Sequence, residues 1–398
     1  MMSQAERQSV MGLSLLIALR MLGLFMVLPV ISVLGADLQH ATAFSLGLVV
    51  GIYGLSQAMF QIPLGALSDR IGRKPVVLGG LALFGVGALL AGLSENVWVV
   101  VFGRFLQGAG AISSTVMAWV ADNTREHVRT KAMAVIGVCI GLSFALSLII
   151  GPVLSQFVGL SGLFMVIFVL AGLASLVAAY KIPTAPLSKG RSVNTRNLWR
   201  DLQSVLKTPG LNYLTVSVLM LHATMTALFV VMPSIMVNEW GLPVANHWYV
   251  YLPVLALSFV LMVPLISVVE KRGCFEQGLV LAISAVLVGM LMLALSIDNA
   301  VMGVVALFVY FWGFNFLEAQ MPSLVSRLSA SHLKGTALGV FATAQFMGAF
   351  LGGVVGGWVS GAFGGLYVFA VCAILVALWW MASAIGASAR IFGMSRSS

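Results

Sequence analysis

Charge is what this sequence most lacks. Only 8% of its 398 residues are Asp, Glu, Lys or Arg, where a water-soluble globular chain carries about 25%. That shortage excludes a water-soluble fold. Cysteine is scarce too: Cys139, Cys274 and Cys372 lie far apart, in or beside apolar segments. Neither a disulfide framework nor a metal cluster is expected, and redox chemistry is disfavoured. The chain also has no phosphate-cradling glycine-rich loop ending in Lys and Ser/Thr, no HExxH and no CxxC. No catalytic constellation replaces them, so the expectation is a non-enzyme that needs no cofactor and does not itself use ATP.

What the chain has in abundance is apolar length. Hydrophobic residues make up 60%, mean hydropathy is +1.06, and the apolar residues come in runs long enough to cross a hydrocarbon layer of about 30 Å. Twelve spans are expected, near 10–34, 44–68, 76–93, 98–121, 132–155, 162–182, 211–237, 247–269, 277–296, 301–326, 335–358 and 364–386. The first is too long for a signal-peptide core and is followed by no small-residue cleavage site, so it reads as retained. Residues 183–210 form the longest polar stretch, and they divide the chain into an N-terminal six-helix half (1–182), a cytoplasmic linker and a C-terminal half (211–398).

The pI near 9.8 points to topology rather than to nucleic acid. With the N-terminus inside, 19 of the 21 basic residues fall in cytoplasmic segments, and the other two, Arg20 and Arg104, lie within spans. No Lys or Arg is left for an outer loop, the positive-inside pattern, so both termini are expected in the cytoplasm. The halves echo one another. Asp69-Arg70-Ile71-Gly72 has a counterpart in Glu270-Lys271-Arg272-Gly273, and two further matches, Lys131 with Lys334 and Gly162 with Gly365, share an offset of 203 residues. Parallel six-span repeats are one transporter architecture, with the substrate site between halves. Glycines at 348, 352 and 356 make a stripe suited to close helix packing.

Three local sequences carry a family resemblance. Gly65-Ala66-Leu67-Ser68-Asp69-Arg70-Ile71-Gly72-Arg73-Lys74-Pro75 fits the loop signature of the major facilitator superfamily, and Gly103-Arg104-Phe105-Leu106-Gln107-Gly108-Ala109-Gly110-Ala111 resembles its second motif. Gly151-Pro152 resembles the core of the third, helix-packing motif, typical of proton-driven antiporters, although Val153-Leu154-Ser155-Gln156 follows where antiporters usually show a glycine pair. Leu19-Arg20-Met21-Leu22-Gly23 with Phe25-Met26-Val27-Leu28-Pro29 looks like the YajR-type branch of drug-efflux-like transporters. The resemblance runs from Arg20 to the last span and implies an all-α membrane protein whose twelve helices form two pseudo-symmetric bundles. It also implies a multi-pass protein of the bacterial inner membrane that works as a monomer on a small-molecule substrate and protons in membrane lipid. No extra C-terminal cytoplasmic domain, present in some relatives, is expected.

By that resemblance, Gly65, Asp69, Arg70, Gly72, Arg73 and Lys74 form a conformational latch with Asp122 and Arg129, Arg73 reaching Asp122 and Asp69 holding a helix of the other half. The alternative is that these cations only set topology. Arg104 is given a role in proton coupling by the resemblance, or it is a buried arginine bonded to helix carbonyls; Gln107 continues its face. Arg20, near mid-membrane, is either a cation of the substrate cavity or an anchor bonded across helices. An intramembrane ion is a functional candidate by default. The acid well inside a span is Glu318, on one face with Asn315 and Phe311, while Gln320 points about 200° away at 100° per residue. Glu318 is therefore the leading proton-binding candidate, with Asp37 at the end of the first span as the fallback, and a permanent ion pair as the alternative reading of Glu318. Tyr53, Gln57 and Gln61 recur at i, i+4 and i+8, and Thr215, His222 and Thr226 form a second polar face; with Gln107, Asn315 and Gln345 these are candidates to line a substrate path, an interhelical hydrogen bond being the alternative for His222. Proton-coupled efflux of hydrophobic or amphipathic compounds is the leading reading. A metabolite exporter for a sugar or organic anion, and a non-transporting sensor or assembly partner docking through the linker, are the alternatives.

Overall fold

The computed structural model describes residues 2–183, 195–295, 297–330 and 333–387. The linker residues Lys189 and Arg191 and the tail residues Arg390 and Arg396 therefore lie outside the described residues. Among the described residues the fold is all helix: α1 (Gln4–Phe25), α2 (Ile31–Leu34), α3 (Ala43–Ile71), α4 (Arg73–Gly92), α5 (Val97–Ala109), α6 (Ser113–Asp122), α7 (Glu126–Tyr180), α8 (Thr195–Lys207), α9 (Pro209–Asn238), α10 (Trp248–Arg272), α11 (Phe275–Leu295), α12 (Ala300–Leu328), α13 (Lys334–Phe363) and α14 (Gly365–Ala382). Eleven segments are long and apolar enough to cross a bilayer. One of them, α7, has 55 residues, about 80 Å at 1.5 Å per residue, twice the depth of a bilayer. It breaks at Gly159, whose φ of 64° and ψ of −170° are not helical and lie where glycine alone is unstrained. Two spans therefore lie in α7, which makes twelve.

Two spans expected as continuous are broken. The first ends as regular helix at Phe25, passes through turns at residues 26–30 and resumes at α2. Pro29 sits in the break, where it lacks an N–H and disfavours helix in the residue before it. The fourth span is split into α5 and α6 at Gly110, Ala111 and Ile112, so the end of α5 exposes a carbonyl inside the unit.

The chain falls into two compact units, Met1–Asn194 and Thr195–Ser398. In the first, α1 packs on α7, α3 on α5, and α4 on both α5 and α7; in the second, α9 packs on α13, α10 on α12, and α11 on both α12 and α14. Span for span this is one scheme used twice. Positive-φ glycines mark matching corners: Gly72 (99°) and Gly273 (65°) after the second and eighth spans, Gly159 and Gly364 (100°) before the sixth and twelfth. Close approach is likewise repeated. A Cβ on Gly151 would fall on the Met26 carbonyl at the break in the first span, and Cβ atoms on Gly348 and Gly352 would fall on the carbonyls of Leu219 and Ala223 in α9. Large apolar side chains such as Met11, Val138, Phe157, Val260 and Ile374 are exposed, as expected where the solvent is hydrocarbon.

Candidate functional site

Among the described residues, a buried polar cluster lies in the first unit and a part-buried one in the second. In the first, Arg20 of α1 is fully buried. Its guanidinium donates to the Tyr53 hydroxyl (2.9 Å), Gln57 Oε1 (2.9 Å), Ser113 Oγ (3.1 Å) and the Gly110 carbonyl (3.2 Å). The break in the fourth span creates that last acceptor: a carbonyl freed from its helix in an apolar medium needs a donor, and Arg20 supplies it. The polar stripe of α3 comes together as its spacing implied, Tyr53 donating to Gln57 (3.1 Å) and Gln57 to Gln61 (3.3 Å). Ser114 of α6 donates to the Gln61 carbonyl and packs against Gly65.

Arg104 of α5 is buried beside this cluster. It donates to Gln107 Oε1 (2.7 Å) and to the Val49 carbonyl (3.2 Å), and its guanidinium lies 5.1 Å from the centre of the Tyr53 ring. Tyr53 thus serves both cations, offering its hydroxyl to Arg20 and its ring face to Arg104, an arrangement worth more once water is excluded. Among the described residues neither arginine lies within ion-pairing distance of a carboxylate. Desolvating two cations without a counter-ion is costly, and neutral dipoles alone meet that cost here.

In the second unit Glu318 of α12, with a side chain 38% exposed, meets α13 and α9. Gln345 Nε2 donates to Glu318 Oε1 (3.1 Å) and lies 2.8 Å from His222 Nε2. His222 Nδ1 lies 3.2 Å from the Val218 carbonyl. A carbonyl only accepts, so Nδ1 carries a proton, and in the neutral imidazole Nε2 is the acceptor for Gln345. Glu318 Oε2 has no hydrogen-bond partner and sits 3.7 Å from His222 Nε2. Phe314 flanks the imidazole at 5.7 Å, and Tyr310 bonds Thr224 of α9 (3.1 Å).

Other candidates fall elsewhere. Asn315 donates to Ser258 of α10 rather than joining Glu318, Thr226 is buried further along α9, and Thr215 bonds back to Leu211 of its own helix. Asp37 is exposed in a short 3₁₀ turn, Gly35–Asp37. Pro152 lies inside α7 next to the Gly151 contact. At the far end of the first unit Arg73 pairs with Asp69 and with Asp122 (2.9 Å) and also bonds Ser68. Lys74 donates to the Ala179 carbonyl and Arg129 to that of Ala121 (3.2 Å), so both meet free carbonyls near helix ends. Gly72, at φ 99°, forms the corner that aims Arg73 and Lys74, while Arg70 is exposed.

One contact here was missed in the sequence. Glu6, in the first turn of α1 and ahead of the apolar run that starts at Val10, accepts from the Arg125 amide, Nε and Nη2, all at 2.9 Å, and from the Ser3 amide at 2.7 Å. The Arg125 side chain first, then its amide and that of Ser3, hold the Glu6 carboxyl well below the usual carboxylate range, and Glu6 in turn raises Arg125. The Ser-x-x-Glu spacing of Ser3 and Glu6 marks a capping box, which was a readable signal for the helix start though not for Arg125.

Comparison with known proteins places these features in a family. The profile of the Major Facilitator Superfamily matches residues 13–353. The chain is 40% identical over 380 residues to the inner membrane transport protein YajR of Escherichia coli K12, covering 95% of this chain and 83% of that protein. It is 30% identical over 335 residues to the multidrug resistance protein MdtH of Yersinia pestis (strain Pestoides F), covering 80% and 78%. Among solved structures, the nucleoside transporter NupG superposes with a TM-score of 0.74 at 14% identity over 96% of this chain and 99% of its own. A D-xylose–proton symporter does so with 0.75 at 16%, over 96% and 97%. The structural likenesses show the shared fold, and the sequence matches decide the family: the chain belongs to the Major Facilitator Superfamily, as a multi-pass membrane transporter and not an enzyme.

Proposed function

We propose that this transporter is a proton-coupled exporter of hydrophobic or amphipathic small molecules, working by alternating access, in which Glu318 takes up and releases the proton. The observation that carries the reading is the setting of Glu318: a half-exposed acid in a span, tied through one oxygen to Gln345, with the other oxygen free of hydrogen bonds beside His222. Such an acid can change protonation without breaking an ion pair to Lys or Arg. Phe314 beside His222 gives the mixed apolar and polar lining that suits amphipathic compounds, and the name of the MdtH relative, a multidrug resistance protein, points the same way.

On this reading the protein lies in the bacterial inner membrane, where YajR's name puts that relative, as a monomer with both termini cytoplasmic, by its basic loops. Asp69, Arg70, Arg73, Lys74, Asp122 and Arg129 then form a cytoplasmic latch, supported by the Arg73 pairs, and Arg104 contributes to coupling as a buried cation. Asp37 is the acid to examine if Glu318 fails. The test uses vesicles loaded with a pH-sensitive dye and given ethidium as the amphipathic probe. Wild type should move protons against ethidium, and Glu318→Gln should keep ethidium exchange but lose the proton movement. Proton movement that persists in Glu318→Gln contradicts the proposal.

A second reading keeps the fold and makes the substrate an organic anion. It is favoured by Arg20 and Arg104, which have no carboxylate within pairing distance among the described residues. Uptake of carboxyfluorescein in place of ethidium, lost in Arg20→Met, separates the two.

A further inference from the structure

We infer that His222 is a second proton carrier of the Glu318 site and that Gln345 is the positioning residue that reads which of the two holds the proton; this rests on the Glu318 reading above. The sequence placed His222 on a substrate path, and its hydrogen bonds suit it to a second role. Nδ1 is committed to the Val218 carbonyl, which leaves Nε2 as the open position, and Nε2 points at the Gln345 amide (2.8 Å) and at the free Glu318 oxygen (3.7 Å). With His222 neutral and Glu318 ionised, Gln345 spends one N–H on each partner and the three side chains form one connected set.

One added proton rearranges that set. Bonded to Nε2, it removes the lone pair that Gln345 uses and places two donors face to face at 2.8 Å. Imidazolium and carboxylate can then close from 3.7 Å to hydrogen-bond distance, about 1 Å of movement, while Gln345 releases His222 and turns. The proton is thus shared by a pair, as coupled groups share one, and its position is reported by a side chain on α13. That helix rides on α9 along Gly348, Gly352 and Gly356, the first of these three residues beyond Gln345, so a turn of Gln345 acts where the two backbones touch.

Among the described residues, the other titratable groups around α9 include Glu239 at its C-terminal end and His247, whose ring packs on Tyr251. From the elements packed on α9, Tyr310 of α12 faces Thr224 and Cys372 of α14 lies near Tyr310; Tyr251 of α10 packs against Phe229 a further two turns along. Tyr213 on α9 itself bonds Ser383. Lys334 on α13, Arg327 on α12 and Glu270, Lys271 and Arg272 on α10 stand at helix ends, as do Tyr249 of α10 and Tyr367 of α14. Lys334 and Arg327 are eleven and nine residues from Gln345 and Glu318, about 13 Å or more at the helical rise. On α8, Arg200, Asp201 and Lys207 are at least fifteen residues before His222. Among the described residues, Glu318 is the acidic group beside the imidazole.

The experiment is ¹⁵N NMR of histidine-labelled full-length protein in detergent, with His222→Asn to assign the signal. The inference expects Nδ1 to stay protonated throughout and the Nε2 signal to pass from its unprotonated to its protonated position as the sample is acidified. The midpoint of that change should differ from wild type in Glu318→Gln and in Gln345→Leu. An Nε2 signal that does not titrate, or a midpoint unmoved by Glu318→Gln, overturns it. Vesicle assays separate this from the reading it rests on. If Glu318→Gln abolishes ethidium-coupled proton movement while His222→Asn leaves its extent and pH profile unchanged, the inference is wrong and the reading of Glu318 stands. If Glu318→Gln changes nothing, both are wrong.

Discussion

Alanine placed at three glycines of α13 should give three different signs, because the space facing each position differs while the chemistry is the same. At Gly339 an added Cβ meets nothing within 4 Å, so Gly339→Ala gains only helix propensity and lower unfolded-state entropy, a stabilisation of about 0.5–1 kcal/mol. At Gly356 the Cβ lies 3.1 Å from the Ala227 Cα. The helices must part by a few tenths of an ångström, and a lost fraction of the dispersion contacts offsets the propensity gain, for a net change of about 0 kcal/mol. At Gly352 the Cβ falls on the Ala223 carbonyl oxygen, with that residue's carbonyl carbon and Cα only 2.8 Å away. Backbone cannot yield as a side chain does, so α13 must move bodily off α9, and overpacking of this kind costs about 1–3 kcal/mol. The assay is thermal unfolding of the purified protein in one detergent at fixed pH, read by tryptophan fluorescence and by loss of the monodisperse peak. The order should be Gly339→Ala above wild type, Gly356→Ala close to it and Gly352→Ala below. Equal effects at all three positions would refute the claim that α9 and α13 touch backbone to backbone along this stripe.

Glu6 and Arg125 make stability pH-dependent. The Glu6 carboxyl is held below its ordinary 4.5 by Arg125, so its contribution is complete above that value and is lost as pH falls below it; the stability difference between wild type and Glu6→Gln should be full at neutral pH and shrink on acidification, and a difference that grows instead would contradict the pairing. Arg73→Ala removes the pairs to Asp69 and Asp122, and amides of residues 68–74 and 120–124 should exchange hydrogen about tenfold faster; unchanged exchange would reduce Arg73 to a topological charge. Arg20→Met leaves the Gly110 carbonyl without its side-chain donor, a loss of about 1–3 kcal/mol, but also removes a desolvated cation that has no carboxylate partner among the described residues. The net stability change should be small, within about 2 kcal/mol, while transport falls; severe unfolding would mark Arg20 as a structural anchor above all.

Much of this architecture was legible because hydrocarbon imposes simple rules. Twelve apolar runs, basic residues kept to alternate loops and the Gly65–Pro75 motif led to the two-bundle transporter fold that the structure and the family match display. The echo of Asp69–Gly72 in Glu270–Gly273 foreshadowed the paired corners at Gly72 and Gly273, and the two matches at one offset foreshadowed the duplicated packing. Helical breaks were harder to read. Apolar content is unchanged across residues 26–30 and 110–112, so hydropathy passes through them, and only Pro29 and Gly110 hint at a turn. The polar clusters were half legible. Periodicity put Tyr53, Gln57 and Gln61 on one face, but it could not show that Arg20 closes on them or that Ser113 joins. Gln345 lies 27 residues from Glu318 and 123 from His222, and a single sequence carries no signal for a contact between helices so far apart.

The central claim is that Glu318 carries the coupling proton. It is tested most directly by counting protons moved per ethidium in vesicles holding wild type and Glu318→Gln at matched protein density. Wild type should show proton movement that scales with ethidium flux, and Glu318→Gln should show ethidium exchange with none. Equal proton movement per ethidium in the two proteins would contradict the account.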